Sequence, residues 1–324
     1  MIRLFTAALA LSMLGASASA NDSTAELAAG GLVLKKTADI EMQSEDLFVS
    51  AEKVRVAYRF LNTSAQDIST VVAFPLPDIG SEEEADFAIP EPGADDFCPS
   101  RRRSTASPLQ MTLEQKVVAR DADQTALIRA LKLPLSPIAA ADALDRLDAP
   151  TQDKLIALGL AEAQEMDVGQ GMQRHLAPAW TLKTTYFWTQ VFPAGKPLRV
   201  EHAYTPSVGS SVDTMITHSD LDPELLAHYQ TRYCTDGSFI AAAKAKKTPL
   251  FEQWISYVLT TGANWAKPIG SFTLTVDKGS AANLVSFCGE DVSKIGATAF
   301  RMSKQNYTPA ADLHILILKP RAAY

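Results

Sequence analysis

The sequence lacks the motifs that mark most nucleotide-binding and hydrolytic enzymes. It contains no G-x-G-x-x-G and no Walker P-loop, so a bound nucleotide has no support. It also contains no G-x-S-x-G nucleophile elbow and no H-E-x-x-H zinc motif. No cofactor is therefore expected, and no local motif indicates a catalytic role.

Positive charge is in short supply. The 324 residues include 30 Lys and Arg against 37 Asp and Glu, a formal net charge of −7. Nucleic-acid binding needs a basic face that matches the phosphates. An acidic chain of this kind is not expected to bind nucleic acid.

Long hydrophobic runs are missing as well. The longest one near the start, Leu4 to Leu14, is shorter than the roughly 20 residues that a membrane-spanning helix needs. Arg3 precedes this run and Ala18-Ser19-Ala20 follows it, which is the layout of a secretory signal peptide. We expect residues 1–20 to be removed between Ala20 and Asn21, with a retained membrane anchor as the alternative. The mature chain would then be periplasmic or secreted, without a transmembrane segment, and its net charge would be −8 because Arg3 is lost.

Only three cysteines are present, and they lack the C-x-x-C spacing of a zinc site. In an oxidising compartment two of the three can pair. Cys234 and Cys288 both lie in the C-terminal part, whereas Cys98 lies in loop-like sequence before Arg101. The expectation is a Cys234–Cys288 disulfide with Cys98 left alone.

The five histidines are spread out rather than paired. A metal site built from distant residues remains an alternative, since zinc ligands need not be neighbours in sequence. His175, His202 and His218 are the candidates, and on this alternative the chain is a metal-dependent or other hydrolase.

An acidic stretch at 81–96 carries seven Asp and Glu side chains. A calcium loop would use such carboxylates, but the D-x-D-x-D-G spacing is missing, and charge runs are usually solvated loops. The sequence leaves open whether this stretch binds a cation.

Strand-like alternation dominates the rest of the chain. In KVRVAYRFLN the apolar positions Val54, Val56, Tyr58 and Phe60 alternate with polar or small ones, which predicts a half-buried antiparallel strand. The aromatic run from Thr181 to Pro206 alternates in the same way around the turn Pro193-Ala194-Gly195-Lys196, and it predicts a β-hairpin. His202 shares the apolar side of that hairpin, so we expect it to be a buried core residue.

Helical sequence interrupts the strands at about 119–172, where three short segments show helical spacing and Ser136-Pro137 is a typical helix start. The pattern predicts a mainly β protein of two Ig-like β-sandwich-type domains with helical insertions. The first domain would cover 21–206 and include the insertion, and the second would cover 207–324 with short helices.

Seven long segments are distributed along the mature chain: NDSTAELAAGGLVL, YRFLNTS, VAFPLPDI, HLAPAWTLKTTYFW, YVLTTGANWAKPIGSFTLTVDKG, NLVSFC and NYTPAADLHILIL. Together they resemble the bacterial "domain of unknown function 4424" family (DUF4424). The resemblance implies an exported, Ig-like, β-rich protein, and it brings no catalytic residues. A looser similarity connects the chain to vault and inter-α-trypsin-type sandwich domains. It is carried by the motifs RFLN and FPLP, which are followed by an FPAG turn.

These observations together predict a non-enzymatic binding or scaffolding protein of the bacterial cell envelope. Its partner would be an envelope protein or a small ligand, and the sequence does not identify it.

Overall fold

The computed structural model describes residues 21–28, 31–80, 86–88, 101–104, 111–167 and 171–321. The proposed signal peptide, Cys98 and most of the acidic stretch 81–96 lie outside the described residues. Within them the chain is mainly β, as predicted, and it folds into several sheets with short helices. No helix among these residues has both the length and the apolar character to cross a membrane.

The strands of the described residues fall into four sheets. In chain order they are β1 Ser23–Ala28, β2 Gly31–Lys35, β3 Ile40–Ser50, β4 Val54–Asn62, β5 Ile68–Pro75, β6 Asp86–Ala88, β7 Arg101–Ser104, β8 Thr112–Ala119, β9 Ala122–Asp123, β10 Ala161–Asp167, β11 Met172–Pro178, β12 Thr181–Phe192, β13 Pro197–Tyr204, β14 Val208–Ser210, β15 Leu250–Tyr257, β16 Ile269–Asp277, β17 Leu284–Phe287, β18 Ser293–Lys294, β19 Ala299–Tyr307 and β20 Leu313–Pro320. A six-stranded sheet has the order β2-β1-β5-β12-β8-β9, and a seven-stranded sheet has the order β18-β19-β16-β3-β4-β13-β7. A five-stranded sheet runs β17-β20-β15-β14-β6, and β10 pairs with β11 alone.

The main core lies where these three larger sheets face one another. Period-two alternation produces it, because each strand turns one set of side chains inward. The buried side chains include Tyr58 from the seven-stranded sheet, Trp188 from the six-stranded sheet and Tyr257 from the five-stranded sheet. The predicted strand around Val54 to Phe60 is β4, and its predicted apolar positions are all buried.

In the part of the chain that the structure describes, five α-helices cover the cores in two groups. They are α1 Thr125–Ala130, α2 Pro137–Leu144, α3 Ala149–Ala157, α4 Pro223–Tyr233 and α5 Gly237–Lys244. The first three lie in the predicted insertion, with Ser136 preceding α2 and Pro137 at its first position as expected. With the β10–β11 hairpin they enclose a second core around Trp180, while α4 and α5 cover the outer face of the five-stranded sheet.

Strands from both predicted domains share sheets. β3 and β4 belong to the first predicted domain, and β3 pairs in parallel with β16 of the second. One core also contains residues from both segments. The predicted boundary at 206 therefore does not separate two independent sheets or cores, because non-local pairing joins the two halves.

The aromatic run 181–206 does not form the predicted hairpin. β12 pairs with β5 and β8 in the six-stranded sheet, whereas β13 pairs with β4 and β7 in the seven-stranded sheet. The turn at 193–196 is an arch between two facing sheets. Alternation predicts which side chains point inward, and this part is confirmed, since Tyr186, Trp188 and Phe192 are buried. It does not predict which strand becomes the hydrogen-bonding partner.

A disulfide joins Cys234 and Cys288, as the sequence predicted. Cys234 ends α4 in a left-handed backbone conformation, and Cys288 follows β17. The bond therefore fastens the helical cover to the edge of the five-stranded sheet.

Removal of this bond by the double substitution Cys234→Ser and Cys288→Ser should lower the free energy of unfolding by roughly 4 kcal/mol, because a closed loop of this length restricts the unfolded chain. Denaturant unfolding measures the loss, with Cys98→Ser as the control that keeps the bond. Non-reducing peptide mass spectrometry should find the Cys234–Cys288 link, and a link that contains Cys98 would contradict the assignment.

Candidate functional site

A network of polar side chains lies inside the main core, around the first described residues. We call it the buried polar cluster, and its members are Asn21, Asp22, Glu45, Tyr58, His202, Tyr257 and Thr261. All seven are almost completely inaccessible to solvent. Polar groups taken out of water need hydrogen-bond partners inside the protein. The contacts of the cluster show how most of them obtain one.

Asn21 is the centre of the network. Its side-chain amide nitrogen donates to Glu45 Oε2 at 3.0 Å, and its side-chain oxygen accepts from the Tyr58 hydroxyl at 2.6 Å. Its main-chain nitrogen donates to Thr261 Oγ1 at 2.6 Å, and its carbonyl accepts from the same hydroxyl at 2.6 Å. The Tyr58 and Tyr257 hydroxyls lie 3.1 Å apart. One residue thus connects three distant parts of the chain.

Asp22 pairs with His202. Nε2 of the imidazole lies 3.0 Å from Oδ1 and 2.9 Å from Oδ2 of the carboxylate, and both side chains are fully buried. Three aromatic rings surround the imidazole with centroid distances of 5.3–5.6 Å: Tyr58, Phe74 and Trp188. His202 is the buried core residue that the sequence predicted.

Glu45 enters the core because β3 contains a β-bulge. The register of β3 against β4 shifts between Met42 and Ser44, so one extra residue reverses the alternation. Met42 points inward before the bulge, and Glu45 and Leu47 point inward after it. Without the bulge, Ser44 and Asp46 would face the core and Glu45 would face solvent.

Gly270 makes room for the bulge. A Cβ atom at this position would lie 2.6 Å from the main-chain oxygen of Gln43, the extra residue, and this is closer than real Cβ contacts come. The absence of a side chain at 270 therefore allows β16 to pack against the bulged strand.

Burial raises the pKa of Glu45 to about 8, and the negative charge of Asp22 adds to the effect. The hydrogen bond from Asn21 acts in the opposite direction but does not compensate. Glu45 Oε1 has no hydrogen-bond partner among the residues that the structure describes. The cluster thus contains two carboxyl groups, one imidazole, and a carboxyl oxygen that is left unsatisfied.

A groove of about 490 Å³ lies on the opposite, solvent-facing side of the seven-stranded sheet. Its lining includes Ser44, Asp46, Ala57, Arg59, Pro197 and Arg199. Arg59 on β4 and Arg199 on β13 are direct cross-strand partners in the antiparallel register. Like charges in directly opposed positions destabilise a sheet. The opposed arginines are therefore expected to lower the stability of the folded protein when no anion is bound.

The two arginines differ in their neutralisation. Arg199 donates to Glu201 Oε1 from Nε at 2.7 Å and pairs with the same oxygen from Nη2 at 2.6 Å. Arg59 is exposed, and it makes no ion pair with any residue in the described part of the chain. The groove therefore presents one guanidinium group that makes no ion pair within the described part of the chain.

The structure does not bring the candidate metal ligands together. His202 is in the buried polar cluster, whereas His175 on β11 pairs with Asp145 in the helical region. His218 lies after a short 3₁₀ helix, with its Nε2 3.1 Å from Asp213 Oδ2. Each of the three imidazoles contacts a different aspartate. Within the described ranges, no three His, Cys, Asp or Glu side chains are grouped so that they could hold a metal ion.

Sequence reasoning missed a Ser–His pair on the helix-covered face of the five-stranded sheet. Ser256 and His314 are cross-strand partners, and Ser256 Oγ lies 2.8 Å from His314 Nδ1. Burial lowers the pKa of His314 to about 4, and the positive charge of Arg232 contributes. An imidazole with so low a pKa is a weak general base at neutral pH. The pair therefore fits a structural hydrogen bond better than an activated nucleophile.

The substitution Gly270→Ala should destabilise the protein by about 1–3 kcal/mol, because the added methyl group collides with the main chain of the bulge. Urea unfolding measures the change. Gly237→Ala is the matched control, since a Cβ there, at the start of α5, has no atom within 4 Å. Equal stabilities of the two variants would contradict the role of Gly270.

His314 predicts a specific acid sensitivity. The unfolded chain takes up this proton below about pH 6.5, whereas the folded protein takes it up only near pH 4. Folding stability is therefore complete above pH 6.5 and falls as the pH drops towards 4, by up to about 3 kcal/mol.

The variant His314→Asn keeps an oxygen acceptor near Ser256 and should lose less stability between pH 7 and pH 4.5. The control is His228→Asn, which removes an exposed imidazole from α4. Denaturant titrations at both pH values measure the effect, and an unchanged acid response in His314→Asn would refute it.

Comparison with known proteins places the chain in a family without giving it an activity. No curated protein matches the chain significantly. Among solved structures, it is similar to a protein from Legionella pneumophila described as a "putative nutrient binding protein", with 15% identity and a TM-score of 0.43. The alignment covers 93% of this chain and 70% of that one. A likeness of this extent carries no argument about function.

The family model, in contrast, covers almost the entire chain. It matches residues 20–316, which include all the buried apolar residues of the main core except Ile317. The chain therefore belongs to DUF4424, a family described as a domain of unknown function.

Proposed function

We propose that this chain is exported and works outside the cytoplasm as a non-enzymatic binding protein for a small anionic ligand. Residues 1–20 would direct export and be removed between Ala20 and Asn21. The groove on the outer face of the seven-stranded sheet would hold the ligand. The observation that carries the proposal is the directly opposed pair Arg59 and Arg199, in which Arg59 makes no ion pair with any residue that the structure describes.

A bound anion would relieve the electrostatic repulsion between these two guanidinium groups. The guanidinium group presents a planar fork of donors that matches the two oxygens of a carboxylate or a phosphate. Such a ligand group would neutralise Arg59 and remove the repulsion from Arg199. Residues that destabilise the empty protein but favour a bound state are typical of functional sites.

The neighbouring side chains suggest the rest of the ligand. Ser44 is the cross-strand partner of Arg59 on the other side, and its hydroxyl group can donate or accept. Asp46 is opposite Ala57, whose small side chain leaves space above the sheet. A ligand with hydroxyl or amino groups beside its anionic group would satisfy Ser44 and Asp46. The proposed ligand class is therefore a small polar acid, such as a sugar acid or a sugar phosphate.

Binding is tested with the protein that begins at Asn21. Isothermal titration with glucuronate and with glucose 6-phosphate distinguishes a carboxylate from a phosphate ligand, and glucose is the neutral control. At least one of the two anions should bind, and glucose should not. The substitution Arg59→Gln should weaken binding about 10- to 100-fold, as expected for the loss of a charge-assisted hydrogen-bond pair.

The matched control is Arg55→Gln. Arg55 lies on the same strand and the same face, but its guanidinium group is placed over the Phe48 ring, 6.0 Å from the centroid, outside the groove lining. Its loss should leave the affinity nearly unchanged. Arg59→Gln should also unfold at an equal or slightly higher denaturant concentration than the original protein, because it removes a like-charge contact. Equal affinities of the two variants, or no binding of either anion, would refute the ligand assignment.

A further inference from the structure

The first residues after Ala20 are deeply buried, which is unusual for a chain terminus. Asn21, Asp22 and Ser23 each have 0% exposure. If residues 1–20 are removed, the new N-terminus lies in the centre of the main core. The structure supplies specific partners there, since Thr261 contacts both the main-chain nitrogen and the carbonyl of Asn21 at 2.6 Å.

The buried polar cluster around this nitrogen contains no Lys and no Arg. Glu45 Oε2 accepts from the Asn21 side chain at 3.0 Å, while Oε1 has no partner in the described part of the chain. The one basic group in the cluster, His202, directs its Nε2 to Asp22. A buried carboxyl group without a full set of partners is costly. The cluster is short of one cation that also donates hydrogen bonds.

Proteolytic processing creates such a cation at this position. Hydrolysis of the Ala20–Asn21 peptide bond consumes one water molecule, leaves a carboxylate on Ala20, and leaves an amine on Asn21. Before cleavage the Asn21 nitrogen is an amide with a single N–H. After cleavage and protonation it is an ammonium group with three N–H donors, of which one remains directed at Thr261.

We propose that Glu45 is a built-in receptor for the chain's own α-ammonium group, which an export peptidase releases when it removes residues 1–20. This inference rests on the export and cleavage half of the proposed function, and it is independent of the ligand. The ion pair exists only in the processed protein, so maturation and core stability are coupled. The bulge at Gln43, which Gly270 accommodates, turns Glu45 into the core, where it already accepts a hydrogen bond from the side chain of Asn21.

A thermodynamic cycle tests the pairing. One protein begins at Asn21, and a second keeps Ala20, so that the Asn21 nitrogen stays an amide and the terminal amine is displaced. Each is made with Glu45 and with Glu45→Gln. With Glu45 present, retention of Ala20 should raise the equilibrium constant for unfolding on the order of 100-fold, because a buried ion pair is broken. In the Glu45→Gln background the effect should fall to within about threefold.

The matched control for the cycle is Asp46→Asn, which removes the next acidic side chain of β3 on the exposed face. It should preserve the full effect of Ala20. Equal effects of Ala20 in the Glu45 and Glu45→Gln backgrounds would overturn the inference.

A second measurement does not depend on the folding of any variant. In the protein that begins at Asn21, an amine-reactive reagent near neutral pH should label the α-amine at least about 100-fold more slowly in the native state than in denaturant, since a fully buried group reacts only through opening. The exposed Lys267 is the internal control. Labelling of the α-amine as fast as Lys267 in the native protein would overturn the inference.

N-terminal sequencing of the exported protein separates the two proposals. If the exported chain begins at a residue other than Asn21, the predicted cleavage position is wrong. The proposed ion pair between the Asn21 ammonium group and Glu45 is then refuted as well. If the chain begins at Asn21 and the cycle shows no coupling to Glu45, cleavage stands and the ion pair is refuted.

Discussion

Burial of the polar segment Asn21–Ser23 is the constraint on which the rest of the structure depends. Three consecutive residues with no exposure must find partners inside the core, and these come from widely separated parts of the chain. The contact between Asn21 and Thr261 spans 240 residues. Such non-local contacts are slow to form and cooperative once formed. The buried start of the N-terminal strand is therefore enclosed by residues from the three larger sheets, whereas its second half is exposed.

The arch between β12 and β13 explains how both facing sheets reach this segment. Because the chain crosses from the six-stranded to the seven-stranded sheet at 193–196, Trp188 and His202 approach each other from opposite sides. A hairpin would have placed the two strands in one sheet, with both side chains on the same layer. The arch encloses the imidazole among aromatic rings and leaves Asp22 as its charged partner.

Much of the local structure follows from sequence periodicity, but the partners of each element do not. Alternation predicted the buried side chains of β4 and the inward orientation of His202, because side-chain direction is a local property. The same alternation fits an arch and a hairpin equally. The prediction that β12 and β13 pair with each other was therefore wrong, since they lie in different sheets. The bulge at Gln43 inverts the phase of β3, and one extra residue leaves no periodic signal that would place Glu45 inside. Asn21 and Asp22 read as an ordinary polar start, and only the tertiary structure shows them buried.

Strand β4 links the two sites, since Tyr58 and Arg59 are neighbours on opposite faces. Tyr58 donates inward to Asn21, and Arg59 faces outward into the groove. Each face leaves one ionisable group without a full set of partners among the described residues: the carboxyl group of Glu45 inside and the guanidinium group of Arg59 outside. These two groups cannot pair with each other, because the sheet separates them. The inner group is buried, whereas the outer group is exposed to solvent. The proposed maturation contact therefore lies on the inner face of the sheet, and the proposed ligand site lies on its outer face.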